Sequence, residues 1–228
     1  MMENKTTIYI AGDSTAANYE KSSYPMHGWG QMLDRFFDKN VEVENKAVCG
    51  RSTKSFIDEG RLNEIENNIK KGDYFFVQFG HNDEKKEDES RYARPFKEYK
   101  ENLKIFAETA MKKDAYPVFL TPIVRRWFDE KGKLKNSHGD YVDAMKEVAK
   151  KLCVPLIDLH QETWDLIEGL GDDESKKYHM CIEVGKYENY PEGLIDNTHL
   201  IEKGALHVAN MVARGIKELN LDLSEHIK

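Results

Sequence analysis

Apolar runs of strand length recur along this chain, and between them lie stretches whose apolar residues repeat every three to four positions. Thr7-Ile8-Tyr9-Ile10-Ala11 stops at Gly12, Val41–Val48 stops near Gly50, Tyr74–Phe79 stops at Gly80, and Tyr116–Leu120 stops at Thr121-Pro122. Val154–Leu159 is the fifth such run. Four of them are nearly continuously apolar, the pattern of strands covered on both faces. Val41-Glu42-Val43-Glu44 alternates instead, as an edge strand does. Trp29, Met32, Leu33, Phe36 and Phe37 share one face of a first helix. Phe96, Tyr99, Leu103, Phe106, Ala110 and Met111 mark a second, and Val142, Met145, Val148, Ala149 and Leu152 a third. Leu200, Ala205, Val208, Met211, Val212 and Ile216 mark a closing helix.

Strands alternating with helices predict an α/β protein with a mainly parallel sheet and right-handed crossovers. Five strands are too few for an eight-stranded (β/α) barrel, so the expected architecture is a three-layer α/β/α sandwich in a single domain over residues 1–228. Such sheets bind ligands beyond the carboxyl ends of their strands. Residues 169–195 show little periodicity and read as a long loop, and Glu84–Arg91 reads as a solvated, charged one.

Composition narrows the function classes. With 34 Lys and Arg against 41 Asp and Glu, the net charge is −7, which argues against nucleic acid or an anionic membrane surface as the main partner. No apolar run approaches the roughly 18 residues of a membrane span. Cys49, Cys153 and Cys181 are an odd number without a C-x-x-C pair, so neither a disulfide framework nor a zinc ribbon is expected. They read as small buried hydrophobes. Met1-Met2-Glu3-Asn4-Lys5 lacks the apolar core and small-residue cleavage site of a secretory signal, so a cytoplasmic location is expected.

The chemistry-bearing residues stand at the ends of the strand runs. Gly12-Asp13-Ser14-Thr15 places a hydroxyl after the first strand; the plainer reading of Ser14 is a helix N-cap. Gly50 after the second strand either relieves a turn or exposes a backbone N–H to the crevice. Asn82, in Gly80-His81-Asn82-Asp83, is either a turn residue or an amide donor at the same rim. The N–H groups of Ser14 and Gly50 and the Asn82 amide together make the donor set of an oxyanion hole. Near the closing helix stands Asp196-Asn197-Thr198-His199. Histidine, with an unperturbed pKa of roughly 6.5, is suited to take a serine proton. A carboxylate three positions earlier can turn back to fix its tautomer. His81 is held as a further site candidate because it adjoins Asn82.

In these blocks, in this order, the chain resembles the SGNH (GDSL-type) hydrolase superfamily. Asn45-x-Ala47-x-x-Gly50-Arg51-Ser52, Phe79-Gly80-His81-Asn82-Asp83, Thr121-Pro122-x-x-Arg125-Arg126 and Tyr190-Pro191-Glu192-Gly193 resemble its rhamnogalacturonan acetylesterase group. The resemblance implies a flavodoxin-like sheet of five parallel strands in order 2-1-3-4-5. It also implies ester hydrolysis without metal or cofactor, on acetylated rhamnogalacturonan oligosaccharides. Ser14 is then the nucleophile, His199 the base, Asp196 its orienting acid, and Ser14, Gly50 and Asn82 the oxyanion donors. Arginine binds carboxylates bidentately, so Arg125 and Arg126 are candidates to hold a uronate, their plainer reading being surface or salt-bridging arginines. Trp29 and Trp127 are candidates for stacking on sugar faces, their plainer reading being core. Two alternatives remain at this stage. One is another SGNH activity, a lipid esterase or thioesterase. The other is a flavin- or nucleotide-binding protein that cradles phosphate at Ser14-Thr15.

Overall fold

The computed structural model describes residues 5–228. The expectation concerning Met1–Asn4 lies outside the described residues. The strands are β1 (Thr6–Gly12), β2 (Met26–His27), β3 (Val41–Asn45), β4 (Tyr74–Gln78), β5 (Tyr116–Leu120), β6 (Leu156–Ile157), β7 (His179–Ile182) and β8 (Leu194–Ile201). The helices are α1 (Trp29–Met32), α2 (Thr53–Asp58), α3 (Arg61–Asn68), α4 (Lys100–Met111), α5 (Asp140–Leu152), α6 (Leu159–Ser175) and α7 (Glu202–Glu218). The main sheet is parallel throughout, in order β3-β1-β4-β5-β6. This is the expected order of the five apolar runs, with the second run on the edge.

Strand periodicity explains why the runs are continuously apolar. Ile8, Ile10, Phe76, Val118 and Leu120 face a core closed by Trp29, Met32, Val208, Val212 and Ile216. Their neighbours Tyr9, Ala11, Phe75, Val77 and Phe119 face a second core, closed by Phe56, Leu62, Phe106, Met145 and Val148. Helices α1 and α7 thus cover one face and α2 to α5 the other, which makes the three layers.

Four expectations are corrected. The fifth run shortens to Leu156–Ile157 because Asp158 leaves the strand to cap α6, its carboxylate accepting from Gln161 N–H at 3.3 Å. The first helix lasts one turn before passing into a 3₁₀ turn over Leu33–Phe36. Phe96 and Met111, assigned to a buried helix face, are exposed at its two ends. Residues 169–195 are not a long loop: α6 runs to Ser175 through a break at Gly171, and β7 and β8 form an antiparallel hairpin. Strand β2 pairs with the outer side of β8, giving a second sheet in order β2-β8-β7.

Candidate active site

Strand β1 delivers Ser14 to the crevice on a turn held from below. Asp13 is buried, and one of its carboxylate oxygens accepts from the Thr15 N–H at 2.9 Å and the Thr15 hydroxyl at 2.8 Å. The other lies 3.1 Å from His81 Nδ1. Burial alone would raise the Asp13 carboxyl, but the His81 ring and the Thr15 donors outweigh it and hold it below the usual carboxylate range. Gln78 ties the same turn to the core, its Oε1 lying 3.2 Å from Thr15 Oγ1 and accepting from Trp29 Nε1 at 2.6 Å. The Tyr19 hydroxyl donates to the Ser14 carbonyl at 2.8 Å. No helix begins at Ser14, so the N-cap reading fails.

Asp196 and His199 belong to β8, and a bulge projects them. His179 on β7 stands opposite Leu200 and Met180 opposite Asp196, so Asn197, Thr198 and His199 have no partners on β7. Extra residues on one strand bend it and re-aim its side chains. Here Asp196 Oδ1 accepts from the N–H groups of Thr198 at 2.8 Å and His199 at 3.0 Å, while Oδ2 lies 2.6 Å from His199 Nδ1. His199 Nε2 is 2.8 Å from Ser14 Oγ. With Nδ1–H donated to the carboxylate, Nε2 is left as the acceptor facing the serine hydroxyl. Burial would raise the Asp196 carboxyl, but the His199 ring and the two backbone donors hold it far below the ordinary range.

The donors lie on the facing loops. Gly50 has φ of +76°, a conformation that glycine adopts without strain. Asn82 Nδ2 donates to the carbonyl of Arg51 at 3.0 Å, which sets the amide beside the Gly50 turn and leaves its second N–H uncommitted. Among the described residues, no protein acceptor takes the N–H of Ser14 or of Gly50. Asp83 fastens this rim from behind, accepting from the Thr53 N–H at 3.0 Å and from the Thr53 hydroxyl. Its carboxyl is pushed up to about 7 by burial. Arg91 was not anticipated. It pairs with Asp88 and reaches Asn82 Oδ1 at 3.5 Å. It sits in the charged stretch read as a solvated loop, where no sequence signal set it apart.

Other anticipated site residues stand elsewhere. Trp29 is fully buried and its indole N–H is taken by Gln78, so it offers no face to a sugar. His81 is buried between Asp13 and the edge of the His138 ring, 4.5 Å away between centroids. Arg125 is 6 % exposed, paired with Glu84 and bonded through Nη2 to the His81 carbonyl at 3.1 Å. Arg126 is 5 % exposed and bound to Asp172 and Asn197. Neither guanidinium is open to a uronate. Trp127 is exposed, its ring 5.1 Å from the Arg125 guanidinium. Cys49 and Cys153 are exposed rather than buried, and Cys181 is half-buried. They lie in a crevice turn, at the left-handed end of α5 and on hairpin strand β7, outside the two packed faces. Among the described residues, no group of three or more His, Cys, Asp and Glu is arranged to hold a metal ion. No described helix is long and apolar enough to cross a membrane.

Comparison with known proteins identifies the family of the chain. A family model described as GDSL-like lipase/acylhydrolase matches residues 8–212. Rhamnogalacturonan acetylesterase RhgT of Bacillus subtilis is 45 % identical over 227 residues, covering 100 % of this chain and 96 % of that protein. The probable rhamnogalacturonan acetylesterase YesY of the same organism is 40 % identical over 220 residues, covering 96 % of each chain. The crystal structure of Bacillus subtilis YxiM superposes with a TM-score of 0.78 at 28 % identity, over 96 % of this chain and 58 % of that one.

Proposed function

The chain belongs to the GDSL-like lipase/acylhydrolase family, and from that premise we propose that it is a serine carbohydrate esterase that removes acetyl groups from acetylated rhamnogalacturonan oligosaccharides. The observation that carries the chemistry is the unbroken line from Ser14 Oγ through the His199 ring to the Asp196 carboxylate, with spacings of 2.8 and 2.6 Å. The substrate class is supported by the two full-length relatives that bear that activity in their names.

In this reading His199 Nε2 takes the Ser14 proton as Oγ attacks the acetyl carbonyl. The imidazolium that forms is held by Asp196, whose depressed carboxyl stays ionised. Negative charge on the former carbonyl oxygen is met by the Ser14 and Gly50 N–H groups and the uncommitted Asn82 amide hydrogen. These donors are fixed before the reaction and need little reorganisation during it. The tetrahedral intermediate collapses as His199 protonates the departing sugar oxygen. Water then repeats the sequence against the acetyl-enzyme and frees Ser14 and acetate. A phosphate-cradling role for Ser14-Thr15 lacks its physical basis, because no helix N-terminus follows β1; the next element is a 3₁₀ turn at Lys21–Ser23.

The test compares kcat/KM for acetate release from acetylated rhamnogalacturonan and from acetylated xylan with kcat/KM for nitrophenol release from long-chain nitrophenyl esters. The first should be preferred, and Ser14→Ala should abolish release from all three. Preference for the long acyl chain would make the protein a lipid esterase of the same family. Equal rates on the two polysaccharides would remove the rhamnogalacturonan assignment.

A further inference from the structure

Arg126 stands 71 positions from Asn197 in sequence and makes two hydrogen bonds to it. Its backbone N–H donates to the Asn197 carbonyl at 2.8 Å, and its Nη2 donates to Asn197 Oδ1 at 2.7 Å. The other arm of the guanidinium is anchored on α6. Nη1 pairs with the Asp172 carboxylate and donates to the Asp172 carbonyl at 2.8 Å, just past the break at Gly171. Asn197 lies inside the bulge, between Asp196 and His199.

We infer that Arg126 is a positioning residue for the acid–base segment, strapping the bulge of β8 to α6 and thereby fixing where His199 stands relative to Ser14. The inference rests on the reading of Ser14, Asp196 and His199 as nucleophile, orienting acid and base. Asn197, Thr198 and His199 gain no ladder bonds from β7, so the bulge needs other restraints. Asp196 supplies one from within, through its bonds to the next turn of backbone. That restraint holds the two residues together but does not fix the pair against the main sheet. Arg126 does: it follows β5 by six residues, and its planar guanidinium imposes two directions at once. Burial of Arg126 at 5 % exposure shields the arm bonded to Asn197 from water, while the Asp172 carboxylate that anchors the other arm is exposed.

A misplacement of about 1 Å in a reacting group costs on the order of 10²-fold in rate. The experiment measures kcat and KM on nitrophenyl acetate, the rate of Ser14 labelling by a fluorophosphonate, and the melting temperature. The chains compared are wild type, Arg126→Met, Arg126→Lys and Asn197→Ala. Arg126→Met should lower kcat and the labelling rate in parallel by ~10- to 100-fold while KM stays within about two-fold, with Arg126→Lys recovering part of the loss. The labelling rate reads activation of Ser14 without any sugar contact, so a purely structural or substrate-binding arginine would leave it unchanged. A folded Arg126→Met with wild-type kcat and labelling, or a loss confined to KM, overturns the inference. If Arg126→Met does not fold, Asn197→Ala decides, since it retains the arginine and its anchor. A parallel fall in both rates supports the strap, and wild-type rates sink it. Ser14→Ala and His199→Ala are run alongside. Activity retained in either means that the underlying site assignment has failed; both dead beside an undisturbed Arg126→Met means that only the strap has failed.

Discussion

Ser14 is half-buried on a turn that is held by Asp13 and Tyr19 without its hydroxyl, and the one group that loses a partner, His199 Nε2, is partly open to water, so removing that oxygen should cost turnover and little stability. Ser14→Ala is expected to lose esterase activity and acetyl-enzyme formation while melting within a few degrees of wild type. Mass-spectrometric labelling of a different serine by a fluorophosphonate would displace the assignment. Asn82→Ala removes a donor that acts on charge developing in the transition state, so kcat should fall by ~10²–10³ with a smaller change in KM. An effect on KM alone would make Asn82 a substrate contact. Asp196→Asn is expected to lower kcat by about 10⁴, because the amide no longer enforces the tautomer that leaves Nε2 free. Near-wild-type kcat in that variant would remove Asp196 from the mechanism. These three side chains were legible in the sequence because each stands where a strand run stops or at a fixed short spacing from another. The partners that fix them were not. Asp13 meets His81 68 positions away, and Arg126 meets Asn197 71 positions away, and no local periodicity encodes either pair. The same lack of a local signal made Arg125 and Arg126 read as a uronate site, although both are buried and already paired, Arg125 with Glu84 and Arg126 with the exposed Asp172.

Elements were legible where burial imposes a period and obscure where something else sets the boundary. The central strands could be read because both of their faces pack, whereas β7 has only four residues and β8, though longer, is mostly half-buried and interrupted by the bulge. Helix α6 was hidden by its two glycines, Gly169 and Gly171, and by a narrow buried face of Leu159, Thr163 and Ile167. Helix α1 is short for a different reason: it starts against the turn that carries Ser14. The Trp29 N–H donates to the Thr15 carbonyl at 2.9 Å. A Cβ on Gly28 would lie 2.2 Å from the Ala17 carbonyl oxygen and 2.6 Å from its nitrogen, and a backbone cannot swing aside as a side chain can. Gly28→Ala should therefore push α1 off that turn. The expected cost is about 1–3 kcal/mol, the usual range for overpacking, together with a loss of kcat because the same turn aims Ser14. Urea unfolding should show a lower midpoint with the slope unchanged. A wild-type midpoint would mean that the turn and α1 are coupled far less tightly than their contacts suggest.

Across the whole molecule, the pH dependence of folding is set by groups buried in the protonation state that water does not favour. His81, His160 and His179 are each pushed down to about 4, in every case chiefly by burial. Asp83 is pushed the other way, up to about 7, also by burial. For the histidines, the unfolded chain takes up protons below roughly pH 6.5 while the folded chain does not until near pH 4, so stability falls as pH drops through that window. For Asp83 the sign reverses. Its folded state holds a proton that the unfolded state gives up above roughly pH 3.9, so its contribution is fully present at low pH and is lost as pH rises toward 7. The protons of buried His81 and His179 outweigh the one carboxyl proton between pH 6.5 and 4, half-buried His160 adding less because solvent screens it, and each fully buried group carries a slope of about 1.4 kcal/mol per pH unit. The net is a fall of a few kcal/mol from pH 6.5 to 5, a large share of a typical domain's ~5–15 kcal/mol. Melting temperature followed by calorimetry should therefore peak near neutral pH and drop steeply on the acid side. His179→Gln should make the acid limb shallower. Asp83→Asn should steepen it, because the opposing proton is gone. A melting temperature that stays level from pH 7 to 5 would mean that these histidines are protonated in the folded state, and the buried contact between His81 and Asp13 would then be an ion pair beneath Ser14.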